Sequence, residues 1–148
     1  MTEPLPADAR VWLESALRDQ EWAQFSLRGG FHAQACFGCQ QSLEKALKAV
    51  LLAYGVPFPK THELVRLVAL CGEHDARIAR FEEDARNLDS YYMSTRYPDL
   101  ASEHDYTKEE AEERFPSLLA SWPPFGLSSR RSWAIWVHDH ARHHRTVR

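Results

Sequence analysis

A chain of 148 residues, 26% charged and 44% hydrophobic with a formal net charge of -3, has the size and composition of one globular domain, not of a disordered or fibrous polypeptide. No apolar run approaches the roughly 20 residues of a membrane span, and no basic-then-apolar start marks export. The expected location is therefore cytoplasmic, with no membrane partner.

The net charge conceals a split. The last 23 residues hold five Arg and one Asp, leaving 13 basic and 20 acidic residues before them. The three cysteines make no disulfide framework. Cys36 and Cys39 form a lone CxxC without a second metal-spaced pair, so they read as small core-facing thiols, and no metal is expected.

Residues 8–28 predict the first helix. Ala9, Trp12, Leu13, Ala16, Ala23 and Leu27 form its apolar stripe, Asp8 is available as cap, and Gly29-Gly30 ends it. Trp22 and Phe25 fall off that stripe, where a monomer would expose them, which predicts a homodimer. A second helix follows at once, as its antiparallel neighbour.

That second helix, within Phe31 to Gly55, is the one the chain is organised around. Cys36, Phe37, Leu43, Leu47, Val50, Leu51 and Tyr54 recur at helical spacing, and Gln40 continues the stripe. Glu44, Lys45 and Lys48 read as the opposite, polar side. Gly55 suits a left-handed cap, and Pro57 and Pro59 prevent quick resumption.

Thr61 stands where an N-cap belongs, and Leu64, Leu67, Val68 and Cys71 predict a short third helix stopped by Gly72. His62, in its first turn, reads as a partner for local backbone or solvent. Ile78, Phe81, Ala85, Leu88 and Tyr92 predict a fourth helix from about Asp75 to Thr95, with Arg77, Arg80, Glu82, Glu83 and Arg86 facing water. Pro98 sets its end near Arg96. Thr107 opens a fifth with a T-K-E-E capping box, interrupted by Pro116.

From Phe115 onward Lys and Glu vanish, while three of the five Trp and four of the eight His appear. Helical periodicity is lost there. The chain divides into a helical bundle over 1–114 and an atypical basic, Trp/His/Arg-rich tail over 115–148. The tail reads as the product of a reading-frame change; the alternative is a genuine extension whose arginines bind phosphate and whose Trp133 and Trp136 stack on bases.

Three blocks, QQSLEKALKAVL, THEL and YYMSTRYPD, occur in that order. Together they resemble the HEPN family of small all-helical prokaryotic proteins, over roughly residues 10 to 113. The resemblance implies an all-α, up-and-down bundle of four to five helices. HEPN ribonucleases resemble one another in an Arg and a His separated by about four to six residues, the His often followed two later by Tyr. Arg96 and His104 have seven residues between them here, and Tyr106 completes H-x-Y.

By that resemblance Arg96 and His104 are candidate catalytic residues of a metal-independent endoribonuclease, the imidazole moving a proton and the guanidinium holding phosphate across a dimer groove. Such chemistry needs no cofactor. The resemblance equally implies a nucleotide- or RNA-associated helical partner of a minimal nucleotidyltransferase, in a toxin-antitoxin-like pair. In that reading Arg96 contacts phosphate and Tyr106 is a nucleotide-site residue or modification acceptor. Further alternatives are a non-catalytic interaction module and a structural RYPD block, with Tyr91, Tyr92 and Tyr97 packing and Arg96 paired to Asp99. No Gly-rich phosphate loop supports independent nucleotide binding.

Overall fold

The computed structural model describes residues 5–96, with side chains through residue 90, and position 109. Among these residues the order is α1 (Ala7–Arg28), α2 (His32–Ala53), α3 (Leu64–His74), a 3-10 turn (Ala76–Phe81) and α4 (Glu82–Arg96), with no strand. The all-α class and the bundle expected from the sequence are what is observed. The fifth helix expected from Thr107 and the tail lie outside the described residues.

Small residues set how closely the first two helices approach. Ala9, Ala16 and Ala23 recur every seventh position on α1, as do Ala35, Ser42 and Ala49 on α2, and all are buried. This spacing keeps one narrow seam in contact along both helices. Ser42 Oγ donates to the Ala16 carbonyl at 2.8 Å. At Gly38 an added Cβ would lie 2.8 Å from the Ala23 Cβ, so only glycine fits this approach.

The hairpin closes through Gly30, at φ 80, with the Phe31 N–H donating to the Ser26 carbonyl at 2.8 Å. Asp8 is not the cap of α1. Pro6 occupies that position, and the Asp8 carboxylate accepts only the neighbouring Ala9 N–H, at 2.8 Å. At the other end of α2, Gly55 has the expected left-handed conformation, φ 73, and the Val56 N–H donates to the Leu51 carbonyl at 2.9 Å.

Leu43, Leu47, Val50 and Leu51 of α2 meet Leu64, Leu67, Val68 and Cys71 of α3, and Ile78, Phe81, Ala85 and Leu88 beyond it, in one core. All three cysteines are buried. Burial pushes the Cys39 and Cys71 thiols up, out of their ordinary range.

Two helix-boundary expectations fail. Gly72 does not stop α3, which continues to His74, because one glycine costs a buried amphipathic helix only about 1 kcal/mol. The fourth helical segment does not start at Asp75 as regular α-helix. Asp75 accepts the Arg77 N–H at 3.0 Å and caps the 3-10 turn, and α-helix begins at Glu82.

Candidate functional site

The sequence blocks QQSLEK and THEL are separated by the α2–α3 connection, yet they meet at one carboxylate. Glu44, on α2, accepts from Lys48 Nζ at 2.7 Å and Gln40 Nε2 at 3.4 Å, and His62 Nδ1 lies 3.1 and 3.2 Å from its two oxygens. Gln40 Nε2 also donates to the His62 carbonyl at 3.3 Å. The Gln40 carbonyl oxygen in turn accepts from Gln41 Nε2 at 2.6 Å.

These positions correct the sequence expectation for Glu44 and Lys48 and add to it for His62. Glu44 and Lys48 do not face water: each side chain is 6% exposed. A central helix packed on both flanks leaves little polar side, and Ser42, Ala46, Ala49 and Ala53 cover what the large residues do not. His62 keeps a solvent-facing ring, as expected, and that ring also reaches a carboxylate 18 residues away. The sequence shows the Glu-Lys pair only as an i, i+4 spacing, which exposed helix surfaces also carry.

Lys48 is further enclosed by aromatic rings, with Nζ 5.3 Å from the Trp12 centroid and 5.1 Å from that of Phe58. Trp12 and Phe58 meet edge-on at 5.0 Å. The buried cation therefore has a carboxylate and two ring faces in place of water. It is the Nδ1 edge of the His62 ring that faces the Glu44 carboxylate. The ring itself is 65% exposed. Chemically, the cluster locks the α2–α3 connection onto α2 and fixes one imidazole's orientation.

The start of α3 is also held from a distance. Thr61 is not its cap; its Oγ1 accepts only the Glu63 N–H, at 3.2 Å. Asp89, on α4, takes that role, accepting Leu64 N–H at 2.9 Å and Val65 N–H at 3.1 Å. Burial raises the Asp89 pKa, with Glu63 and Glu44 adding to the rise against the two backbone bonds. At the C-terminal ends of α2 and α3 Tyr54 stacks on His74 at 5.1 Å, and burial, helped by Asp75, pushes its phenol up to about 12.

Of the residues the sequence singles out for chemistry, Arg96 is the last described position of α4, its side chain outside the described set. His104 and Tyr106 lie outside the described residues. Among the described residues no group of His, Cys, Asp and Glu is arranged to hold a metal ion, and no helix is long and apolar enough to cross a membrane.

The family described as HEPN domain matches residues 9–116. Among solved structures the chain is similar to TT1696 from Thermus thermophilus, at 32% identity and TM-score 0.63, covering 93% of this chain and 98% of that one. It is also similar to ST0689, an archaeal HEPN homologue, at 26% identity and TM-score 0.61, covering 92% and 99%. No protein of curated function matches.

Proposed function

The chain belongs to the HEPN family, and on that premise we propose that it is a nucleotide- or RNA-associated helical partner in a HEPN/nucleotidyltransferase-type, toxin-antitoxin-like system, working as a homodimer. The observation that carries the reading is the extent of the family match: residues 9–116 take in Arg96, His104 and Tyr106 together with the bundle. Arg96, at the described edge of α4, is the phosphate-contacting group in this account, since a guanidinium fork pairs with two phosphate oxygens at once.

Pairing of two copies is supported by exposed aromatic side chains. Trp22, Phe25 and Phe31 are 43%, 67% and 58% exposed, a cost in water that a protein partner relieves. The test is equilibrium binding of fluorescent ATP and of a labelled oligoribonucleotide to the full chain. Arg96→Ala should weaken binding roughly tenfold or more, with His104→Ala silent. Binding that is undetectable, or indifferent to Arg96, contradicts the proposal. Loss of RNA integrity in the same samples, abolished by Arg96→Ala and by His104→Ala, would favour the endoribonuclease instead.

A further inference from the structure

We propose that the outer face of α1 is a two-fold surface on which two copies of this chain pair, each α1 crossing its mate antiparallel at a point between Gln24 and Phe25. This rests on the homodimer reading above and adds the surface, the register and the ion pairs.

The face is defined by helix geometry. At 3.6 residues per turn, buried Ala9, Leu13, Ala16 and Ala23 take one side of α1, and Arg18, Glu21, Trp22, Phe25 and Arg28 fall within about a third of a turn on the other. Arg18, Glu21, Trp22, Phe25 and Arg28 are all exposed. Phe31 adjoins this face at the hairpin, its ring 3.0 Å from where a Gly29 side chain would begin. Trp22 is already braced, edge-on to Phe37 at 6.3 Å. A rigid aromatic needs little further ordering on binding.

Charge identifies the occupant. Glu21 and Arg28 flank the aromatic centre from opposite ends, about 10 Å apart along the axis, too far to meet within one helix. Neither joins any ion pair among the described residues. A two-fold axis between Gln24 and Phe25 exchanges the ends, bringing Glu21 of one copy onto Arg28 of the other, twice.

Parallel docking would instead stack Glu21 on Glu21 and Arg28 on Arg28, and an antiparallel crossing centred on Glu21 would oppose that carboxylate with itself. A partner of one charge sign would satisfy one end and repel the other. A second copy satisfies both.

The experiment is sedimentation velocity of the full chain at micromolar concentration, for wild type, Glu21→Arg, Arg28→Glu, the double swap and Phe25→Glu. Wild type should be dimeric. Each single swap creates two like-charge contacts and should weaken the dimer roughly tenfold or more, as should Phe25→Glu, with helical circular dichroism unchanged. The double swap should restore pairing. Single swaps that stay as dimeric as wild type overturn this surface while leaving the homodimer reading intact. Failure of the double swap to recover overturns the Glu21–Arg28 register, and a monomeric wild type overturns both.

Discussion

Asp89 on α4 caps Leu64 at the start of α3, its Oδ1 2.9 Å from that residue's backbone nitrogen while Oδ2 takes the next one at 3.1 Å. One carboxylate thus does for α3 what its own Thr61 does not, and ties two helices together. Asp89→Ala should cost about 1–2 kcal/mol in urea unfolding.

The same carboxylate has a pH signature. Its folded pKa is raised, mainly by burial, so the folded state binds the proton more tightly than the unfolded state. Ionised Asp89 therefore weighs against folding at neutral pH. That penalty is relieved as pH falls through the raised folded value toward the unfolded value of about 3.9. Asp89→Asn cannot titrate, so its stability should fall more steeply than that of wild type as the pH is lowered from about 6 to about 4. Parallel pH profiles in urea titrations would refute this account of the site.

Glu44 and His62 should differ sharply in what they contribute. Glu44→Ala leaves the Lys48 ammonium buried between Trp12 and Phe58 without its carboxylate, and should destabilise by about 3–5 kcal/mol. His62→Ala removes an exposed ring and should cost only about 1 kcal/mol. Adding Lys48→Met to Glu44→Ala should recover much of the loss. Equal effects of the two single substitutions, measured by chemical denaturation, would contradict the burial argument.

Two glycines inside helices should respond with opposite sign. An alanine at Gly38 would bring its Cβ within 2.8 Å of the Ala23 Cβ and 3.0 Å of the Trp22 ring, both on α1. Gly38→Ala should therefore lower stability by about 1–3 kcal/mol despite better helix propensity. At Gly72 the nearest atom would be Ala79 Cβ at 3.6 Å, an ordinary contact. Gly72→Ala should stabilise by up to about 1 kcal/mol. Thermal melts of both variants decide the matter.

Periodicity and turn residues make most of the fold legible without coordinates. The stripes of α1 and α2, the Gly29-Gly30 hairpin and the left-handed Gly55 follow from local rules, and local rules act within the few residues that the sequence displays together. What escapes them are long-range substitutions for local devices. Asp89 caps a helix 25 residues upstream, and Glu44 takes a histidine 18 residues downstream. No spacing rule announces either. The charge of Glu44 and Lys48 suggests water, whereas a carboxylate, an ammonium and two aromatic rings supply each other's solvation. Arg96, at the described limit of α4, is singled out by the RYPD block and not by any geometry that periodicity provides.

The central claim is that this HEPN-family chain associates with nucleotide or RNA through Arg96. Its most direct test is to incubate end-labelled RNA with wild type, Arg96→Ala and His104→Ala in excess chelator, reading retention and strand integrity from the same samples with thermal melts alongside. The account predicts RNA retained and intact with wild type and His104→Ala, and retention lost with Arg96→Ala at an unchanged melting temperature. RNA that wild type never retains, or an Arg96→Ala variant that melts early yet retains RNA as wild type does, would contradict it.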